Sequence, residues 1–136
     1  MIERILEKTI YLRATPAQVW AYLTEPDKLA VWFHRPKAPL TGGSFEMFGA
    51  DSGDRVIWGE VLLAEPFTRL DYTFTVAPMG GAVSIVRWTL ENTPGGTRVS
   101  LRHEGLSDAT EAFDLILALD AGWDKHLDRM RAALHG

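Results

Sequence analysis

Two side chains in this sequence are placed where they could exchange protons with a bound molecule: His103 and Glu60. His103 alternates with Val99 and Leu101 along a predicted strand, so its imidazole shares a side with two apolar residues and points inward. The alternative for His103 is a core histidine whose ring nitrogens are paired within the fold. Glu60 alternates with Trp58, and it is a candidate proton donor or acceptor if that side faces a pocket, or an exposed carboxylate if it does not.

The sequence lacks the motifs of several other kinds of catalytic site. The sequence has no cysteine, which excludes a disulfide, a thiolate zinc site and a cysteine nucleophile. His103-Glu104 lacks the second histidine of the metalloprotease motif, because Ser107 occupies that position. The glycine pairs at 80–81 and 95–96 do not form a phosphate-binding loop pattern. We therefore predict no catalytic residue, no metal and no cofactor.

Aromatic residues are the other candidate binding groups, because the chain has five tryptophans. Such rings offer a large apolar surface and an N–H that can orient a ligand, but they also simply fill cores. Trp20 is assigned to the core by its helical spacing, and for the other four both roles stay open. The predicted ligand-binding set, which adds neighbouring strand residues, is Trp32, Phe45, Trp58, Glu60, Tyr72, Phe74, Trp88, His103 and Trp123.

Composition limits the classes of partner. A chain of 136 residues with 46% hydrophobic and 24% charged residues predicts one globular domain over 1–136, without a membrane-spanning run. The net charge of −4, with scattered basic residues, argues against binding to nucleic acid or insertion into a membrane. The first eight residues are not typical of a secretory signal, and with the lack of cysteine this favours a cytoplasmic location.

The elements that must position these residues follow from periodicity and turn signals. We predict a first strand over 5–12, a short helix capped by Thr15 with Pro16 at its first position, and a second short helix carrying Leu29 and Trp32. Strands follow near 44–48, 55–64, 68–76, 83–92 and 97–104, separated by turns at 51–54, 65–67, 78–81 and 94–96. This order predicts an α+β fold with a six-stranded antiparallel sheet.

The central strand, 55–64, has two possible orientations. Either Ile57, Gly59 and Val61 face inward, or Val56, Trp58 and Glu60 do, because its apolar residues do not alternate cleanly. The choice decides whether Glu60 belongs to a pocket.

A long C-terminal helix is predicted from Ser107, which can cap it, with Asp108 and Glu111 near its positive end. Its apolar stripe recurs every three or four residues at Ala112, Ile116, Leu119, Trp123, Leu127, Met130 and Leu134. Gly122 interrupts a good helical pattern at a cost of about 1 kcal/mol, from which we predict close approach of helix and sheet.

Ordered motifs along most of the chain carry a family resemblance. They are ATPAQVW at 14–20, LTEPDKL at 23–29 with Trp32, GGSF at 42–45, GEV at 59–61, RLDYTF at 69–74, HEG at 103–105 and GW at 122–123. This set resembles the START-like helix-grip superfamily and, within it, the family named after activators of the ninety-kilodalton heat-shock chaperone's ATPase. The resemblance implies a curved sheet wrapped around the C-terminal helix, with a cavity between them. Nothing here corresponds to the additional N-terminal chaperone-binding domain of the eukaryotic activators.

The leading functional hypothesis is a carrier or sensor for a small apolar molecule. One alternative is an enzyme of cyclase, dehydratase or hydrolase type that uses the same cavity. The other is a protein-interaction module related to the chaperone activators. A homodimer and a chaperone partner stay open.

Overall fold

A computed structural model describes residues 4–49, 52–79, 81–107 and 109–135. Along the chain the elements are β1 (Arg4–Leu12), α1 (Pro16–Thr24), α2 (Pro26–Trp32), β2 (Arg35–Pro36), β3 (Ser44–Phe48), β4 (Arg55–Glu65), β5 (Arg69–Phe74), β6 (Ser84–Thr93), β7 (Gly96–Leu106) and α3 (Phe113–His135). Asp51, Gly80 and Asp108, which belong to predicted turns and to the predicted helix start, lie outside the described residues.

All strands belong to one antiparallel sheet in the order β1-β7-β6-β5-β4-β3-β2. The predicted α+β class is confirmed, but the predicted strand number of six is wrong, because the described residues form a sheet of seven strands. The additional strand, β2, contains two residues, with Arg35 opposite Phe48 and Pro36 opposite Met47. Two residues are too few to show alternation, so the sequence pattern gave no sign of this strand.

The two short helices begin as predicted. The Thr15 hydroxyl accepts from the Gln18 backbone N–H at 3.1 Å, and the Gln18 side chain accepts from the Thr15 N–H at 2.8 Å, which completes a capping box. Pro16 occupies the first turn, where its missing N–H costs nothing. A second proline, Pro26, starts α2 directly after α1 ends.

The start of α3 differs from the prediction. The helix begins at Phe113 after a 3-10 turn over Thr110–Ala112, and the Ser107 hydroxyl instead accepts from the backbone N–H of Ala109 at 3.2 Å. Its 23 residues span about 34 Å at 1.5 Å per residue, enough to cross the sheet. Within the described ranges, no helix is both long and apolar enough to cross a membrane.

The core lies between α3 and one face of the sheet, called here the inner face. Alternate residues of β5, β6 and β7 are buried there, and Ile116, Trp123, Leu127 and Met130 of α3 pack against this core. In β4 the inner position is Ile57, opposite Met47 of β3. The orientation with Ile57 and Gly59 inward is therefore the one adopted.

Candidate functional site

A cavity of about 210 Å³ that is open to solvent lies between the inner face of the sheet and α3. Rings and aliphatic groups from α3, β4, β5 and the segment after α2 line it, and its walls include Phe33, His34, Ile57, Phe74, Trp123 and His126. An apolar cavity of about 150 Å³ is enough to hold benzene, so this one can accept a small ring with a few additional atoms.

Gly122 is one reason that this space exists. It lies on α3 beside Trp123 and lines the cavity, and a Cβ placed on it would meet no atom within 4 Å. The predicted close approach of helix and sheet at Gly122 is therefore wrong. The missing side chain leaves the space open instead.

His103 lies beside the cavity, fully buried, with both ring nitrogens paired. The Trp123 indole N–H donates to Nδ1 at 3.0 Å, and Nε2 lies 2.7 Å from the Ser84 hydroxyl. That hydroxyl lies 2.7 Å from the carbonyl of Phe74, to which it must donate because a carbonyl only accepts. Ser84 thus accepts from His103 Nε2–H, and one neutral tautomer satisfies the whole chain.

The direction of these bonds excludes a serine-histidine nucleophile pair. Such a pair requires a histidine nitrogen that is free to accept the serine proton, whereas Nε2 carries a proton and Nδ1 is occupied by Trp123. Burial also lowers the pKa of His103 to about 4. Of the two interpretations of His103, the structure favours the core histidine.

Three other predicted residues are core groups whose polar atoms are already used. Trp88 donates its indole N–H to the Tyr72 hydroxyl at 3.1 Å, and Trp32 donates to the backbone carbonyl of Tyr22 at 2.7 Å. Burial raises the pKa of the Tyr72 phenol well above its usual value. Trp32, Trp88 and Tyr72 do not line the cavity, and the indole N–H groups of Trp32 and Trp88 are used within the core.

Phe45 and Trp58 lie elsewhere, along a groove of about 420 Å³ at the β3 edge of the sheet. The ring of Trp58 lies under the guanidinium of Arg55 at 4.1 Å, and Arg55 pairs with Glu46 at 3.1 Å. Although this groove is larger than the cavity, the solvated Arg55–Glu46 ion pair, Lys37 and two prolines lie along it, so we assign no apolar binding there.

Glu60 is exposed, outside the cavity. It pairs opposite Ser44 on the outer side of the sheet, because Ile57 and Gly59 occupy the inner positions of β4. The predicted role of Glu60 as a polar group in the cavity does not fit this placement. Of the nine predicted site residues, Phe74 and Trp123 line the cavity directly.

Two histidines of the wall, His34 and His126, were not among the predicted site residues. His126 comes three residues after Trp123 on α3, so its position on the inner face was implied by helical spacing. The His126 ring lies edge-on to Phe33 at 4.9 Å and 5.6 Å from the ring of His34. Burial lowers the pKa of both, that of His126 to about 4.

Metal binding has no obvious site in the part of the chain that the structure describes. Those residues contain no group of three or more histidine, cysteine, aspartate or glutamate side chains arranged to hold an ion.

Comparison with known sequences gives a family match. The family model described as Activator of Hsp90 ATPase homolog 1-like protein matches residues 13–135. No functionally curated protein matches the chain significantly.

Solved structures with the same fold cover nearly all of the chain. Protein MLL2253 from Mesorhizobium loti is 26% identical, with a TM-score of 0.84 over 97% of both chains. DynU16, from the dynemicin biosynthetic locus, is 25% identical with a TM-score of 0.83. The match extends over 98% of this chain and 48% of DynU16. The Aha1 dimer from Colwellia psychrerythraea is 19% identical, with a TM-score of 0.79 over 98% of this chain and 96% of that one, a likeness that shows the fold alone.

Proposed function

The chain belongs to the family of Activator of Hsp90 ATPase homolog 1-like proteins, and from this premise we propose that it binds a small hydrophobic molecule in the cavity between the sheet and α3. The observation that carries the proposal is the open space beside Gly122, walled by Phe74 and Trp123. Small-molecule sites are concave and mostly apolar, so an open cavity with these apolar walls is a natural ligand site.

A carrier or sensor fits the cavity better than an enzyme does. Ser84 and His103 are the residues that most resemble a nucleophile and its base. The Ser84 hydroxyl donates to the Phe74 carbonyl and not to His103, so His103 cannot remove its proton. The cavity favours a small ligand, because about 210 Å³ holds a single ring and a long acyl chain would have to extend through the opening into solvent.

The test is ligand-induced stabilisation with small cyclic hydrocarbons such as p-xylene and indene as probes. A probe at 100 times its dissociation constant should raise the unfolding free energy by about 2.7 kcal/mol and the melting temperature by several degrees. Tryptophan emission should change saturably over the same range, because Trp123 is part of the wall.

The matched variants are Gly122→Leu and Gly122→Ala. Leucine at this position should fill the cavity and abolish both responses, whereas alanine adds one methyl group and should retain most of the binding. Wild-type protein that shows no stabilisation by any such probe, or a Gly122→Leu variant that responds as wild type does, would contradict the proposal.

Two further features are proposed for the whole protein. We propose a cytoplasmic location from the cysteine-free composition.

We also propose a homodimer, prompted by the dimeric state of the Colwellia psychrerythraea protein. Light scattering at micromolar concentrations tests the dimer, and a mass of about 15.2 kDa would contradict it.

A further inference from the structure

His126 is held in one tautomer by the backbone. Its Nδ1 lies 3.0 Å from the backbone carbonyl of Trp32. Because a carbonyl oxygen only accepts hydrogen bonds, Nδ1 must carry the proton. The neutral ring therefore keeps its lone pair on Nε2.

That Nε2 lone pair has no partner among the described residues. Three aromatic rings lie near the His126 ring: Phe33 at 4.9 Å, His34 at 5.6 Å and Trp123 at 6.3 Å between ring centroids. Asp71 Oδ1 is the one buried side-chain N or O atom without a partner among the described residues, so water reaches His126 Nε2 in the free protein. An apolar ligand in the cavity would remove that water, and an acceptor left unpaired in this way is costly unless the ligand supplies a donor. A cavity ligand that carries a donor would remove that cost.

The surroundings keep His126 an acceptor at neutral pH. Burial lowers the pKa of His126 to about 4, and the neighbouring charges of Arg129 and Lys125, with His34, act in the same direction. A ring with so low a pKa accepts a hydrogen bond but does not hold a proton near pH 7. Hydrogen bonding to a ligand is thus favoured over proton abstraction from it.

We propose that the ligand is a small cyclic alcohol or phenol whose hydroxyl donates to His126 Nε2 while its ring packs against Phe74 and Trp123. This assignment rests on the proposed binding function and adds the chemistry that distinguishes one apolar molecule from another. Apolar contact alone discriminates weakly between rings of equal size, whereas a site with a buried polar partner rejects analogues that lack the hydroxyl.

The test compares p-cresol with p-xylene, which differ by a hydroxyl in place of a methyl group and have nearly equal volume. Calorimetric titration gives both dissociation constants for wild-type protein and for His126→Asn. Asparagine keeps an N–H that can donate to the Trp32 carbonyl but lacks the Nε2 acceptor. In His126→Asn, we expect the preference for p-cresol over p-xylene to fall by about 3- to 10-fold, because the variant has lost the Nε2 acceptor that favours the hydroxyl.

A second measurement needs no variant. In wild-type protein, p-cresol should shift the His126 Nε2 nitrogen resonance in the direction of a newly accepted hydrogen bond, and p-xylene should not. In the calorimetric titrations, His34→Asn is the control, because His34 also lines the cavity.

The outcomes separate the two claims. If both probes bind wild type but neither the His126→Asn preference nor the Nε2 resonance changes, the hydroxyl assignment is overturned and the binding function stands. A loss of preference in His34→Asn alone would overturn the assignment to His126. If neither probe binds wild type, the binding function fails and the ligand assignment fails with it.

Discussion

Among single residues, His103 has the most constrained environment. Its Nδ1 accepts from Trp123, so a proton added there would place two donors, the imidazolium and the indole, against each other. Fully buried beside Phe74, at 4.7 Å between ring centroids, the ring also has little water to stabilise a charge. These are the physical reasons that His103 remains neutral in the folded protein.

This environment makes stability depend on pH. The pKa of His103 is about 4 in the folded protein and 6.5 when unfolded, so the unfolded chain takes up a proton as the pH falls from about 6.5 to about 4. The titration of His103 should therefore lower the unfolding free energy by about 3 kcal/mol as the pH falls through this window. Above pH 6.5 it should leave the unfolding free energy unchanged.

His103→Gln isolates the effect, because the amide can still accept from Trp123 and donate to Ser84 but does not titrate. Urea unfolding at several pH values between 4 and 7 should give a shallower decrease for the variant. His126 contributes to both proteins and cancels. Parallel curves for wild type and His103→Gln would contradict the account.

Alternation along a strand was enough to predict that His103 points inward, but not what it contacts. Its hydrogen-bond partners are Ser84, 19 residues away, and Trp123, 20 residues away. No local sequence pattern predicts that these three residues come into contact. The same holds for Trp88, whose indole N–H is satisfied by Tyr72 of the neighbouring strand. Whether a tryptophan is core or wall depends on such tertiary partners.

Among the elements, β4 depends on a glycine where it passes β5. A Cβ on Gly59 would overlap the carbonyl oxygen of Thr73, and the Thr73 hydroxyl also accepts from the next N–H, that of Glu60, at 2.8 Å. Gly59→Ala should therefore force the strands apart and destabilise the protein by about 1–3 kcal/mol or more. Denaturant melts measure this, and a variant as stable as wild type would show that the crossing is not tight.

Gly122→Ala provides the opposite case with the same chemical change. Its Cβ meets open space, so only helix propensity should act, and the variant should be more stable by up to about 1 kcal/mol. If denaturant melts show Gly122→Ala to be destabilised, then α3 contacts something at this position and the open space is absent.

Elements bounded by turn residues were predictable from the sequence, and elements without such signals were not. Proline and glycine clusters separated the long strands, and the Thr15-Pro16 signal located α1. The start of α3 was predicted six residues too early, because Ser107 has a capping side chain but the chain makes a 3-10 turn before Phe113. Gly122 was interpreted as close packing, since a sequence cannot distinguish a contact from a space.

On the scale of the whole molecule, the two faces of the sheet differ in chemistry. Across the outer face runs a series of ion pairs in which Arg102 joins Glu7 to Glu104, and Arg87 joins Glu104 to Asp71. The inner face is apolar and aromatic and packs on α3. The sheet is therefore covered by a helix on one side and by charged side chains on the other, which leaves the inner face as the place for an apolar ligand.

The central claim, that this inner cavity binds a small hydrophobic molecule, is tested most directly by the five tryptophan indole N–H signals in a nitrogen-proton correlation spectrum. Trp123 lines the cavity, Trp58 lies in the groove at the sheet edge, and Trp20 packs edge-on to Phe67 at 6.4 Å. On titration with p-cresol, we expect a saturable shift of the Trp123 signal with no change at Trp58 or Trp20. A shift confined to Trp58, or no saturable shift of any indole signal, would contradict the account.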